Sequence, residues 1–384
     1  MSAWFSFGKK HLADGSSLPL LDYTAGLFEN LDFSDTLFVG CIHLLKANVF
    51  LVKKLIELGM KPADILVLGK VYSTSKKSAE EISRLGVYIH PASQTFESHR
   101  PFDEVHYQAI GELIERAKSQ IAGGSYKKVV VVDDGGHMLE KVLDHSFGKV
   151  EIKGVEWTSS GYNLLKNLKI SFPVVNMARS RAKLSLESPM IAEAAVQWLK
   201  KFFGLFNRRV NKILVIGGGA IGSSIAAELK GEHDVQIYDL VPDYSDFDKE
   251  KLIHILGSYD MVIGTTGKRI LKANDFKRLK RNVILASASS SDREFSAVEL
   301  RKRAVPAKDP HQTIAVDGIT LLNCGFPIPF DGSEAPVDLG KIQLTVSLAF
   351  ASIAQTSTAR GEGFVELKAE TQQAIIDRFI TLRS

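Results

Sequence analysis

The stretch Lys212-Ile-Leu-Val-Ile-Gly-Gly-Gly-Ala-Ile-Gly222 decides how the rest of the chain is read. Four apolar residues, Ile213 to Ile216, have the length and β-branching of a short buried strand. They run into Gly217-x-Gly219-x-x-Gly222, with Ala220 and Ile221 filling the last gap, and Ser223 to Lys230 then reads as a helix. A second apolar run, Val235-Gln-Ile-Tyr238, ends at Asp239. In such a turn the first glycine permits the bend, the second admits backbone to a pyrophosphate, and the third allows helix and strand to pack closely. The amides opening the helix face the phosphates, where the helix dipole favours anions. An acid about 20 residues on accepts the ribose hydroxyls. Its charge repels a 2′-phosphate, so the pattern favours NAD over NADP. Glycines serve turns in unrelated loops too, but here strand, helix and acid all stand where a dinucleotide needs them.

A chain of 384 residues is long enough for two domains with separate cores. Hydrophobic content of 45% and charged content of 24% are ordinary for a globular protein. A formal charge of +4 is too small to argue for a nucleic-acid partner. The basic clusters Lys277-Arg278, Lys280-Arg281 and Arg301-Lys302-Arg303 read as solvated helix faces. Cys41 and Cys324, both in apolar settings, suggest packing roles in a reducing compartment. With no signal-peptide pattern and no apolar run near the ~18 residues of a membrane span, a cytoplasmic location without membrane partners is expected.

Upstream of the glycine turn, strand and helix alternate. Thr36 to Ile42 reads as a strand ending at His43, and Leu44 to Leu58 as a helix closed by Gly59. Ile65 to Val71 is the next strand and Lys77 to Leu85 its helix, followed by a short strand at Val87 to His90. Asp103 to Ile121 is a long helix. The Val-rich run Lys128 to Asp133 has the continuous apolar character of a parallel strand covered on both faces. Phe172 to Asn176 is another strand, and a helix from Ser188 to Phe203 leads into the nucleotide half. There, Met261 to Gly267 and Asn282 to Ser289 each read as a buried strand turning at small or hydroxylated residues. A helix from Leu339 to Ser357 and a helical tail over residues 362–384 return the chain. The predicted fold class is α/β, with two doubly wound parallel-sheet lobes.

In open parallel sheets, ligands gather beyond the carboxyl ends of the strands. That rule singles out His43, Ser73, Thr74, Asp133 and Asp134, then Lys183 and Glu187. A lysine and an acid four apart can share a helix face. A lysine beside nicotinamide could lower the pKa of a substrate hydroxyl, with a carboxylate or imidazole moving protons. Each has a plain structural alternative: a loop histidine, a Asp-Asp-Gly-Gly turn, a solvated ion pair. No C-x-x-C, H-E-x-x-H, P-loop or G-x-S-x-G pattern occurs, so metal and serine-hydrolase chemistry are unsupported.

Taken in order, Gly40-Cys-Ile-His43, Val71-Tyr-Ser-Thr74, Asp133-Asp-Gly-Gly136, Glu156-Trp-Thr-Ser-Ser-Gly161, Pro173…Asn176…Lys183, Gly217…Gly222 and Asn323-Cys-Gly325 resemble S-adenosylhomocysteine hydrolases over residues 36–384. The resemblance implies a Rossmann NAD-binding domain, residues 188–332, inserted in a discontinuous substrate domain, residues 1–187 and 333–384. It implies that NAD transiently oxidises a ribose hydroxyl, that elimination and water addition follow, and that the ketone is then reduced. By position, His43 matches an acid/base histidine, Asp134 the catalytic aspartate and Lys183 the lysine assisting oxidation, while Glu187 replaces an aspartate. Thr158, Ser159, Ser160, Thr265 and Thr266 match hydroxyls that contact NAD. Asp239 replaces a ribose-binding glutamate, and Asn323 matches an asparagine near the nicotinamide.

Departures from the family pattern cluster at the substrate. The adenine-binding Thr and Glu are here Leu45 and Ala47, a second catalytic histidine aligns with Ser289, and one acid of a pair has become Trp157. A closing Gly-His-Pro is replaced by Pro329-Phe330-Asp331. The expectation is an NAD-dependent, hydrolase-like enzyme with an altered adenine pocket, acting on a nucleoside- or sugar-like small molecule and assembling as a homo-oligomer. A non-catalytic NAD-binding regulator and a simple NAD-dependent dehydrogenase are the alternatives.

Overall fold

The computed structural model describes residues 17–206 and 209–383. Its first sheet contains β1 (Thr36–Cys41), β2 (Ile65–Leu68), β3 (Tyr88–Ile89), β4 (Lys128–Asp133), β5 (Glu151–Glu156) and β6 (Pro173–Asn176). The second contains β7 (Lys212–Ile216), β8 (Asp234–Tyr238), β9 (Met261–Gly264), β10 (Val283–Ser287), β11 (Ile314–Val316) and β12 (Ile319–Leu321). A last strand, β13 (Gly363–Glu366), returns to the first sheet.

Period-2 alternation makes both sheets buried on two faces. Along β4, Val129 and Val131 enter one core while Val130 and Val132 enter another. Along β7, Leu214 and Ile216 face one core, and Ile213 and Val215 the opposite one. Each lobe therefore has helices on both sides of its sheet. The helix Leu339–Gln355 packs into the first lobe, with Leu344, Leu348 and Ile353 fully buried. Among the described residues, no helix is long and apolar enough to cross a membrane.

The strand orders are β13-β6-β5-β4-β1-β2-β3 and β11-β12-β10-β9-β7-β8, every pairing being parallel except β11 with β12. The direction in which successive strands are added to the sheet reverses between β1 and β4 in one lobe and between β7 and β9 in the other. Crevices for ligands open at such switch points, beyond the carboxyl ends of the strands. His43 and Asp134 follow β1 and β4. Gly217 and Thr265 follow β7 and β9.

Several sequence expectations are corrected. The strand expected over Ile65 to Val71 stops at Leu68, because Lys70 turns inward and Val71–Ser73 coils tightly, Ser73 and Thr74 both donating to the Lys70 carbonyl. The tail from residue 362 is not helical throughout. Gly361 and Gly363 take positive φ, Gly363–Glu366 pairs with β6, and the helix begins at Ala369. The β11–β12 hairpin, turning on Asp317 and Gly318 at φ 51° and 73°, was not anticipated, nor was β5. Asp-Gly at a two-residue turn is a hairpin signal.

Arg301 is corrected most sharply. Lys302 and Arg303 are solvated, but Arg301 is 0% exposed. It donates to the carbonyls of Ser98, Arg100 and Cys324, and its Nη2 lies 2.5 Å from Asp292 Oδ2. Ser98 and Arg100 belong to the segment after β3, so one guanidinium ties the two lobes together. Tyr72 stacks on Phe326 across the same seam, ring centroids 5.0 Å apart, and His311 Nε2 donates to the Tyr72 carbonyl at 2.9 Å.

Candidate active site at the two switch points

The first switch point gathers charge in a buried place. Asp134, 9% exposed, receives the ammonium of Lys70 on Oδ1, while its Oδ2 lies 3.2 Å from His43 Nε2. Burial alone would raise the Asp134 carboxyl, but Lys70 and His43 outweigh it and hold the group well below its ordinary value. Burial would likewise discharge Lys70; Asp134 instead keeps it protonated. The other imidazole nitrogen, Nδ1, lies 2.5 Å from Ser73 Oγ, and the ring rests on Phe330 with centroids 5.0 Å apart. With Asp134 anionic, Nε2 carries the hydrogen toward it and the Ser73 hydroxyl donates to Nδ1.

Behind this pair lies a second acidic layer. Asp133 accepts from Leu139 N at 2.9 Å, and burial pushes its carboxyl up to about 6. Glu156, paired in register with Asp133, accepts from the amide and hydroxyl of Thr158 at 2.7 Å each. Burial and the adjacent Asp133 raise its carboxyl well above the ordinary range. His106 is pushed down to about 3 by burial and the Lys70 charge, and its Nε2 sits 3.1 Å from Cys41 Sγ.

Lys183 and Glu187 occupy a π-type turn, Lys183–Glu187, ahead of the helix Ser188–Phe206. Nζ and Oε2 are 2.5 Å apart, with side chains only 16% and 14% exposed, so this is not a solvated pair. His43, Asp134, Lys183 and Glu187 all line one cavity, which leaves about 100 Å³ to the centres of water-sized spheres. Phe330 and the segment Glu334 to Val337 close one side. That segment is tied down by Lys46 N donating to the Glu334 carbonyl at 2.9 Å and by Lys77 on its carboxylate at 2.8 Å.

At the second switch point the three glycines answer to different demands. A Cβ on Gly217, at φ 114°, would strike the Thr265 side chain, and one on Gly222 would strike the Gly217 carbonyl. A Cβ on Gly219 would meet nothing within 4 Å. The protein's own packing thus requires the outer glycines and leaves the face of the middle one open. Gly219 caps the helix Ala220–Leu229, whose opening residues Ala220 and Ile221 complete the turn. Asp239 Oδ2 accepts from Gly218 N at 2.6 Å and Oδ1 from Val241 N at 2.9 Å. Thr265 Oγ1 donates to the Gly217 carbonyl at 2.8 Å, and Thr266 donates to Glu294 from its amide at 2.7 Å.

The remaining sequence-selected residues do not line the cavity. Thr158 Oγ1 caps the helix Ser159–Leu165 by accepting from Gly161 N at 2.9 Å, and Ser159 and Ser160 are exposed on its first turn. Asn323, at φ 47° and 1% exposed, donates to the Phe330 carbonyl at 2.8 Å, while its Oδ1 has no partner within the protein. Among the described residues, no cluster of three or more His, Cys, Asp or Glu side chains could hold a metal ion.

Two site residues escaped sequence reasoning. Lys70 is the only charge in Ile65 to Val71, and a charge inside an apolar run needs a buried partner, which was a usable signal. Glu294 accepts from Thr266 N, Gly267 N and, at 2.7 Å, Ser287 Oγ, joining the ends of β9 and β10. Nothing in its local sequence marks it.

Fold and site together define a two-lobed α/β protein with a Rossmann-type lobe and, at the other lobe's switch point, a mostly apolar cavity that holds a few charged groups. No protein-family model matches the chain. The chain belongs to the same family as the uncharacterized protein Rv0104 of Mycobacterium tuberculosis strain H37Rv, with which it is 35% identical over 356 residues, spanning 90% of this chain and 68% of the relative. Its counterpart MT0113 in strain CDC 1551 matches equally. Among solved structures, the chain is similar to NAD+-bound 3-phosphoglycerate dehydrogenase of Entamoeba histolytica (11% identity, 86% of this chain and 100% of that one, TM-score 0.40). It is also similar to the dipicolinate synthase A chain of Bacillus subtilis (10% identity, 84% and 98%, TM-score 0.38). These likenesses are remote; the fold assignment stands on the chain's own strand order.

Proposed function

We propose that the chain is an NAD-dependent enzyme of dehydrogenase type, holding the dinucleotide on the Gly217–Gly222 turn and acting on a hydroxyl group in the cavity at the first lobe's switch point. The observation that carries this reading is the convergence of His43, Asp134 and the Lys183–Glu187 pair on one cavity from three separate segments of the chain. The open face of Gly219, the carboxylate of Asp239 and the unpartnered Oδ1 of Asn323 fit a dinucleotide. Leu240, Val241 and Tyr244 follow Asp239 and are exposed, an apolar shelf suited to a flat ring. Asp239 is the reason to prefer NAD over its 2′-phosphorylated form.

When bound, the dinucleotide supplies a hydride acceptor. The chain's own part is proton handling and positioning. Lys183 Nζ, held by Glu187, would donate a hydrogen bond to the substrate oxygen and stabilise its charge as the proton leaves. His43, fixed by Ser73 and by the anion of Asp134, would take the single proton that oxidation of the hydroxyl releases.

Transient oxidation followed by elimination or hydrolysis, as in S-adenosylhomocysteine hydrolases, is the second reading. It is favoured by the matching order of His43, Asp134 and Lys183. The readings separate by product: a dehydrogenase accumulates reduced nicotinamide, whereas the recycling enzyme returns to the oxidised form. Denaturing the purified protein and identifying the small molecule released tests the cofactor. Following reduced-nicotinamide absorbance in wild type and Lys183→Ala tests the chemistry, and an unaffected Lys183→Ala overturns the role given to that lysine.

A further inference from the structure

Beyond His43, Asp134, Lys183 and Glu187 the cavity wall is mostly apolar, Leu45, Ala47, Ile191 and Val346 among it, with Asn48, Glu334 and Thr345 as its further polar members. A purine offers several ring nitrogens and an amine, more groups than this wall has polar partners placed to meet, and each left unpaired costs about 1 to 3 kcal/mol. Space is limited as well. The room of about 100 Å³ is of the order of the ~150 Å³ cavity known to hold one benzene ring.

Three polar atoms on the lining residues are buried and lack partners: Trp157 Nε1, on a side chain 4% exposed, Glu334 Oε1 and Thr345 Oγ1. An indole N–H can only donate. Left unsatisfied it costs stability, and an acceptor on a ligand removes that cost.

We infer that the cavity takes a single-ring, largely apolar alcohol that carries a hydrogen-bond acceptor for Trp157, and not a nucleoside. The inference rests on the proposed reading of the site only in assigning the hydroxyl to the Lys183–Glu187 end. The apolar body and the acceptor follow from the walls themselves.

The test is ligand-observed NMR titration of the full chain in the presence of NAD, with 4-hydroxycyclohexanone, cyclohexanol and adenosine as probes. 4-Hydroxycyclohexanone should bind about tenfold more tightly than cyclohexanol, the worth of one satisfied hydrogen bond. It should also bind more tightly than adenosine. Trp157→Phe should erase the difference between the two cyclic alcohols, and Thr345→Val, a milder change on the same wall, should leave it in place. Adenosine binding as tightly as 4-hydroxycyclohexanone, or a carbonyl that brings no gain in wild type, overturns the inference. Reduced-nicotinamide absorbance, read in the same samples, reports separately on hydroxyl oxidation. Binding without reduction keeps this ligand class and removes the redox reading; reduction by adenosine does the reverse.

Discussion

Lys70 and Asp134 form an ion pair whose side chains are only 7% and 10% exposed, and the carboxylate's second oxygen orients His43. Removing one partner of such a pair strands a buried charge, whereas replacing both with apolar groups is often neutral. Lys70→Met should therefore lower unfolding free energy by about 3 to 5 kcal/mol. Adding Asp134→Leu should recover most of that loss. Urea unfolding of the two single variants and the double variant measures the coupling, and additive losses would show that the pair is not acting as a unit.

The glycine turn separates folding from binding. Gly222→Ala forces a Cβ onto the Gly217 carbonyl and should lower the melting temperature. Gly219→Ala adds a methyl to open space, so its melting temperature should stay within about 1 °C of wild type, an exposed change costing well under 1 kcal/mol. Dinucleotide affinity should nevertheless fall at least tenfold in Gly219→Ala. Thermal unfolding and fluorescence titration with NADH, run on both variants, check the two halves.

Asp133 gives a pH signature. Its folded carboxyl is raised from 3.8 to about 6, so it binds a proton that the unfolded chain releases earlier. Its contribution to stability is complete below 3.8 and is lost as pH climbs through about 6. Asp133→Asn should remove that dependence. The variant's stability relative to wild type should rise between pH 4 and pH 6.5, read from urea midpoints at constant ionic strength. A constant difference across that window would mean that Asp133 titrates normally.

Arg301 bears on the seam between the lobes. Arg301→Met leaves Asp292 buried without its cation and strips three carbonyls of their donor. A loss of about 3 to 5 kcal/mol is expected. If the guanidinium ties the lobes, limited proteolysis should also reach the segment around Ser98 and Arg100 faster than in wild type.

Much of this was legible beforehand, and the exceptions have physical causes. The continuous valines of β4 and the strand-turn-helix around Gly217 declare parallel, doubly covered sheets, because no solvent-facing period interrupts them. His43 and Asp134 were found by rule, as the first polar residues past strand ends. What stayed hidden depends on distant partners. Arg301 sits in a basic triplet that looks solvated, and only the return of the segment after β3 buries it. β13 is a half-buried edge strand of four residues, too short for alternation to show, and its partner lies 190 positions earlier. Trp157 looked like a lost acid; the structure makes it an unmatched donor instead.

The pairing of β13 with β6 also has a consequence for synthesis. At about 5 to 20 residues per second, roughly 10 to 40 seconds separate the emergence of those two strands from the ribosome. Through that interval the flank of β6 offers bare backbone amides and carbonyls, an invitation to stray pairing. The Rossmann lobe, made in between from contiguous sequence, can complete itself first.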